Sequence, residues 1–347
     1  MIRCISLFPY SFTLLSLQLF GAQPAWLMQA GGTTASLRGI GVIDGKIAWA
    51  SGTEGTFLRT TDGGHTWKSG AVSGASKLDF RGLHAFDASH AILVSSGPGA
   101  LSAIYETRDA GQTWSLIKTN PDPKGFFDAI AFASPDRGVV RGIVLGDPVD
   151  GEFVLLTTYD AGLTWQRLGF PALEGESAFA ASNTSLVIRA PDVWIATGGK
   201  TGARVIHLES DGTHCCRAVS TPIRHDSDGA GIFSIAFSDA KHGIAVGGDY
   251  AKPRESAANI AVTMDGGATW TTPSGTPPRG YRSAVAWLPQ HKLWITTGPS
   301  GSEFSRDWGR NWIPFDQGSF NAIGVGANDA CWAVGANGRI AALRITP

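Results

Sequence analysis

Charge of one sign is missing from this chain: 28 Lys and Arg stand against 29 Asp and Glu, a formal net charge of −1. Neither a basic field that draws in nucleic acid nor an acidic solvating tail organises it, so no nucleic-acid partner is expected. Cysteine is nearly absent too, with Cys4, the adjacent Cys215 and Cys216, and Cys331. If Cys4 leaves with a leader, the remaining odd number lacks the spacing of a disulfide framework or a zinc site. Cys215 and Cys216 either bridge as neighbours or pack as two thiols. Phosphate-binding glycine loops, dinucleotide fingerprints and metal-ligand spacing are also missing, and the histidines are scattered. No metal and no cofactor are expected.

Long apolar runs occur only at the start. Arg3 precedes an apolar stretch from Ile5 to Phe20, and the small residues Gly21, Ala22 and Ala25 follow it. That order describes a secretory signal peptide over residues 1–25, with Ala22 and Ala25 as candidate cleavage points and an uncleaved anchor as the alternative. A secreted or periplasmic protein is therefore expected, with one domain over 26–347.

What the chain has in abundance is glycine, 45 residues, and tryptophan, 12 residues. The tryptophans expose a repeat. Thr60-Thr61-Asp62-Gly63-Gly64-His65-Thr66-Trp67 recurs as Thr107-Arg108-Asp109-Ala110-Gly111-Gln112-Thr113-Trp114. Further copies run from Thr158 to Trp165, from Thr263 to Trp270 and from Ser305 to Trp312. The pattern Ser/Thr-x-Asp-x-Gly-x-Thr/Asn-Trp is the Asp-box, or BNR motif. The interval from Trp165 to Trp270 is double the others, and Glu209 to Cys216 fills it in register as a decayed copy. In each box the Asp accepts backbone N–H groups of its own turn, Gly permits positive φ, and Trp opens a strand. These are turn-forming roles, so the boxes are expected to be structural.

Between boxes the residues alternate and favour β structure. Each unit reads as an inner strand (Leu37 to Ile43), a second (Ile47 to Ser51), a third (Phe57 to Thr61) and an outer strand after the Trp. That is a propeller blade. Six blades end near Asp316, and Phe320 to Thr346 holds three more strands. Trp26-Leu27-Met28-Gln29 resembles the missing outer strand. The expected fold is all-β, a seven-bladed β-propeller of four-stranded antiparallel blades closed by its N-terminal strand, which leaves no free edge.

The meander puts the box turns on one face. The starts of the inner strands share the opposite face with the turns between second and third strands. Those starts carry Arg38, Arg81, Asp128, Asn183, Phe233, Arg282 and Asn321, more charge than an inner strand needs for packing. Asp147, Asp249, Tyr250 and Ser300 lie in the turns, and Glu176 enters blade four. One reading is a polar pocket in which Arg38, Arg81 and Arg282 grip a carboxylate. The other is a polar network that only seals the funnel.

The boxes, with Tyr281-Arg282-Ser283-Ala284-Val285, Gly247-Gly248-Asp249-Tyr250 and Ala180-Ala181-Ser182-Asn183-Thr184-Ser185, resemble exported bacterial relatives of the photosystem II stability/assembly factor. The resemblance implies a non-enzymatic propeller whose plant and cyanobacterial members help assemble a membrane photosystem. For this chain a monomer is expected, with a protein or acidic glycan bearing a carboxylate as partner and association with a membrane complex. The boxes are similar also to those of sialidases. That resemblance implies a glycoside hydrolase or lyase with Tyr250 or Tyr281 as nucleophile beside Glu176 and Asp249. Arg38-Gly39-Ile40 departs from the Arg-Ile-Pro signature of sialidases.

Overall fold

The computed structural model describes residues 23–134, 139–208 and 217–346. The decayed repeat with Asp211, Cys215 and Cys216 lies outside the described residues, as do Cys4 and most of the leader segment.

Strand position in a blade follows from burial. The second strands Ala48–Gly52, Ala91–Ser95 and Leu293–Gly298 are buried at every residue, because each is covered by a neighbouring blade on both faces. Their sequences are short apolar or small-residue runs without alternation, as a two-sided core requires. The outer strands Lys68–Ala71 and Ser115–Thr119 are largely exposed and carry Lys, Ser and Thr.

Seven sheets form the ring. Blade 1 runs Leu37–Val42, Ala48–Gly52, Thr56–Thr60, Lys68–Ala71, and blade 2 runs Phe80–Ala85, Ala91–Ser95, Ala103–Thr107, Ser115–Thr119. Blade 3 is Phe127–Phe132, Gly142–Val149, Glu152–Thr158, Gln166–Pro171, and blade 4 is Leu186–Arg189, Asp192–Ala196, Arg204–Leu208, Arg217–Ser220. Blade 6 is Ala284–Leu288, Leu293–Gly298, Gly301–Ser305, Ile313–Asp316.

Blade 5 departs from the others. After Ala230–Phe237, Gly243–Asp249 and Ile260–Thr263, its outer strand shrinks to a single bridge between Val262 and Thr271. Pro273, Pro277 and Pro278 follow, and proline has no N–H to extend a ladder. On its inner side the same sheet gains Gly198–Gly199, paired with Glu176–Ser177, through the contact of Gly198 with Gly231.

Blade 7 holds Ala322–Val325, Cys331–Val334 and Arg339–Thr346, and Gln23–Ala30 completes it as the outer strand. The register sets Trp26 against Leu343 and Gln29 against Ile340. Gln29 is the clasp. Its Oε1 accepts from Trp67 Nε1 at 3.0 Å and Trp332 Nε1 at 2.9 Å, while its Nε2 donates to Gly63 O at 3.1 Å. Trp26 Nε1 donates to Ser302 Oγ at 2.9 Å and ties the strand to blade 6. The strand begins at Gln23, so Gln23, Pro24 and Ala25 pair with Thr346, Ile345 and Arg344. These three residues fall inside the segment read from sequence as the leader.

The five repeat turns share one geometry. Asp62 Oδ1 accepts from Thr60 Oγ1 and Thr66 N at 2.9 Å, Oδ2 accepts from Thr66 Oγ1 at 2.6 Å, and Gly64 N donates to Thr60 Oγ1 at 2.9 Å. Gly64 holds φ +81, where a side chain is strained. Asp109, Asp160, Asp265 and Asp307 repeat the pattern. Hydrogen bonds from Thr66 hold the Asp62 carboxyl down at about 2. Every carboxylate is used by its own turn.

Candidate functional site

The face opposite the repeat turns is built differently. In blades 1, 2, 3 and 5 the inner strand slips register at the same place, between Leu37 and Gly39, Phe80 and Gly82, Phe127 and Ala129, and Ile232 and Ser234. The residues caught in these bulges are Arg38, Arg81, Asp128 and Phe233. A bulge re-aims a side chain out of the alternating pattern, which is how charged residues occur on strands otherwise made of Gly, Ala, Ile and Leu.

Beside them lies a cavity of about 370 Å³, lined by Arg38, Arg81, Phe179, Phe233, Tyr250 and Tyr281 together with Phe320, Asn321 and small residues. The other part of the axis, about 520 Å³, is walled by inner-strand residues of all seven blades, among them Ile40, Leu83, Ile130, Ile235, Trp287 and Ile323. His84 in that wall is half-buried against Phe86 and Phe132, and its desolvation pushes it down to about 4. Two guanidiniums, Arg38 and Arg81, line the 370 Å³ cavity, against one, Arg189, in the wider part.

Two guanidiniums share one carboxylate there. Arg81 Nε donates to Asp79 Oδ2 at 2.8 Å, and Arg38 Nε lies 3.9 Å from the same oxygen. Arg81 Nη1 also donates to Ala180 O at 3.2 Å. Arg38 Nε and Asp79 Oδ1 are buried without a hydrogen-bond partner. Burial lowers the Arg38 pKa, with Asp79 opposing the shift. The side chains of Arg38 and Arg81 remain 30% and 29% exposed, so both can be reached.

The third arginine stands apart. Arg282 is fully buried, where its Nη2 donates to Glu303 Oε2 at 2.8 Å and its Nη1 to Ser300 Oγ and Gly301 O, each at 3.1 Å. The arc of three convergent guanidiniums expected from sequence is therefore a pair plus one internally neutralised member. Glu303, on the third strand of Arg282's own blade, lies nearer than the axis and takes the charge. Ser300 serves that pair and donates its own O–H to Arg279 O at 2.8 Å.

The remaining candidates divide. Tyr250, 58% exposed, and Tyr281, 6% exposed, both line the cavity against Phe233. Burial pushes the Tyr281 phenol upward, with Arg38 opposing. Glu176 is not beside either tyrosine. Its oxygens accept from Arg204 Nε at 2.8 Å, Arg204 Nη2 and Thr197 Oγ1 at 2.5 Å, and Leu173 N at 2.9 Å. Asp249 caps its own loop, accepting from Ser227 Oγ at 3.0 Å and Ala251 N at 2.9 Å. Asn183 is a staple between blades, accepting from Ile130 N at 2.7 Å and donating to Leu83 O at 3.0 Å. Among the described residues no hydrogen bond joins Glu176 or Asp249 to a tyrosine hydroxyl.

Asp128 and Asp147 form a buried carboxyl pair in blade 3. Burial and then the charge of Asp147 raise the Asp128 pKa, opposed by Arg81. Burial pushes Asp147 up to about 6, although Ala178 N donates to its Oδ1 at 2.9 Å. Burial and mutual repulsion thus favour the neutral form in both carboxyls.

Sequence reasoning missed Asp79, Phe179 and Phe320. Asp79 stands two residues before Arg81, on the same side of an extended chain, and that spacing was a usable signal. Phe179 had none. It stacks on Phe233 at 4.0 Å because the segment leading into blade 4 crosses the axis, where Ala180 O meets Arg81. Among the described residues no group of three or more His, Cys, Asp or Glu is placed to hold a metal ion.

No family model matches the chain, and no curated protein matches it significantly in sequence. Solved structures do match in three dimensions. YCF48 bound to D1 peptide aligns with TM-score 0.61 at 17% identity, covering 93% of this chain and 97% of that one. YCF48 from Cyanidioschyzon merolae gives TM-score 0.63 at 17% identity, covering 93% and 99%. U3-55K gives 0.62 at 12% identity, covering 92% and 98%. The likeness is one of fold. YCF48 and this chain are both rings of seven blades, and at such identity no residue role transfers between them.

Proposed function

We propose that this chain is a non-enzymatic docking propeller that receives an acidic group of a protein partner in the axial cavity. The observation that carries the reading is the sharing of one carboxylate, Asp79, by Arg38 and Arg81. The two guanidiniums leave an excess positive charge and an unpartnered Nε in a concave, aromatic-walled site. A carboxylate completes such a set by charge-assisted hydrogen bonds, and apolar neighbours of that carboxylate pack on Phe179, Phe233 and Tyr250. A structural relative described with a D1 peptide bound supports a protein segment as occupant. A membrane-complex subunit and an acidic glycan remain candidate classes within this reading. The chemistry of hydrolysis is disfavoured, because Glu176 is held by Arg204 and burial keeps Tyr281 protonated.

The leader-like start supports export to the periplasm or medium. Cleavage at Ala22 leaves the closing strand whole, whereas cleavage at Ala25 removes three of its ladder residues.

The test uses peptides acetylated and amidated at their ends, bearing Glu or Asp, against Gln or Asn counterparts. Acidic peptides are expected to bind more tightly and to weaken with salt. Arg81→Ala should cost about 1.5–3 kcal/mol of affinity, the range for a hydrogen bond to a charged group. Equal binding of acidic and neutral peptides, or indifference to Arg81→Ala, overturns the assignment.

A further inference from the structure

The repetition of the ring supplies an internal control for its gaps. Val72 follows the outer strand of blade 1, and its N–H donates to Gly55 O at 2.9 Å. Asn120, Ala172 and Thr221 make the corresponding bonds to Ser102 O, Gly151 O and Ala203 O after blades 2, 3 and 4. Between blades 1 and 2 the space beneath this residue is filled, as Val72, Leu78, Phe80, Tyr105 and Trp114 pack into one cluster.

Between blades 2 and 3 the matching positions are smaller or polar. Asn120 replaces Val72. Gly125 replaces Leu78, since each stands three residues before the residue caught in the inner-strand bulge, Asp128 and Arg81. Leu156 replaces Tyr105, since the pairs Val144–Leu156 and Leu93–Tyr105 stand at the same distance from the inner-strand bulge. A cavity of about 240 Å³ results, walled by Phe127, Val154, Leu156 and Trp165.

Its polar groups are donors without acceptors. Asn120 is buried, and its Oδ1 is taken by Asp122 N at 3.1 Å, which fixes the amide and leaves Nδ2 without a partner. Trp165 Nε1 is likewise buried and unpartnered, as is Trp114 Nε1 in the filled gap, so the Asn120 amide is the donor that sets this gap apart. A Cβ on Gly125 would lie 2.3 Å from Asn120 Nδ2, so the glycine makes room for this amide. Lys118 and Arg167 also line the cavity, against a single carboxylate, Asp122. Unmet buried donors call for an explanation in a native fold.

We propose that this gap is a second binding site, for a small amphiphilic carboxylate: an apolar body of one aromatic or branched side chain with a single carboxylate. The apolar body replaces the Tyr105 ring that fills the equivalent gap. The carboxylate accepts from the indole and amide N–H groups and from Lys118 or Arg167. The source is either a free acid or the C-terminal residue of a peptide, which present the same group.

The probes are N-acetyl-phenylalanine, its C-terminal amide, and a pentapeptide ending in phenylalanine, titrated calorimetrically into the full chain. The acid should bind at millimolar concentration or better, and the amide at least about tenfold more weakly, the loss of a charge-assisted contact. Asn120→Val with Leu156→Tyr, the residues of the filled gap, should abolish binding with the melting temperature unchanged or raised. Trp165→Phe, which keeps the ring shape and removes the N–H, should weaken binding several-fold. Arg81→Ala must leave it unchanged, which separates this site from the axial cavity. A pentapeptide tighter than the acid assigns the site to a protein C-terminus, and binding of the acid alone assigns it to a free acid. Absence of binding by both, equal affinity for acid and amide, or full binding by the filled variant overturns the proposal.

Discussion

The two ends of the ring put the same residue types to opposite use. At the repeat turns each Asp accepts from hydroxyl, amide and backbone groups within its own eight residues, and the pattern recurs five times. At the other end the charged atoms Arg38 Nε, Asp79 Oδ1, Asp128 Oδ2, Arg282 Nε and Glu303 Oε1 are buried without hydrogen-bond partners. Among the described residues the repeats leave only the indole Nε1 of Trp114, Trp165 and Trp270 buried and unpartnered, and none of their carboxylates. A buried polar atom left unpaired costs about 1–3 kcal/mol, so a chain of this size retains several only where something else is gained. Repetition marks the scaffold. Departure from repetition marks the face on which the proposed docking cavity lies.

That contrast is most sharply tested at Arg282, a charged residue of the second end that belongs with the scaffold. Arg282→Ala strands the buried Glu303 carboxylate and should cost about 3–5 kcal/mol in denaturant unfolding. Replacing both, Arg282→Met with Glu303→Leu, should recover most of that loss. A stable Arg282→Ala protein that no longer binds acidic peptides would move Arg282 to the functional side.

A smaller effect is expected at a repeat turn. Thr263 is buried, accepts Gly267 N at 2.8 Å and donates to Asp265 Oδ1 at 2.8 Å. Thr263→Val should cost about 1–2 kcal/mol, measured by denaturant unfolding, as the Gly267 N–H loses its acceptor. Peptide binding by the folded protein should be unaltered. Lost binding at unchanged stability would erase the division between the ends.

The gentlest probe is pH, because the two ends titrate with opposite sign. Hydrogen bonds from Thr66 and Thr164 hold Asp62 and Asp160 at about 2, below the unfolded value of 3.8. Their stabilisation is full above about pH 4 and is lost as pH falls toward 2. Burial raises Asp128 and Asp147, the latter to about 6, so their contribution is present below pH 3.8 and lost as pH rises through 6. Melting temperature should rise from pH 2 to 4 and decline above it. Asp147→Asn should flatten the upper limb alone, and an unchanged upper limb would count against the buried pair.

Seven blades, their turns and the closing strand were legible in the sequence because each is encoded locally. A repeat turn satisfies its own polar groups within eight residues, and Trp26 to Gln29 carries the outer-strand pattern in four. Strand ends differed from expectation by one to three residues, as at Gln23–Ala30, where ladder pairing rather than residue type sets the limit. The site was legible only in part. Arg38 and Arg81 stood out as charges on an inner strand, but which carboxylate met each guanidinium did not. Arg81 finds Ala180 O across 99 residues of chain, and Asn183 finds Leu83 O across 100. Such contacts depend on which blades face one another across the axis, on the path of residues 178–183 over it, and on Glu303 reaching Arg282 first. Local hydrogen bonding determined the scaffold by itself. Only the closed ring, bringing distant side chains into one low-dielectric space, decided which charges were neutralised internally and which stayed accessible.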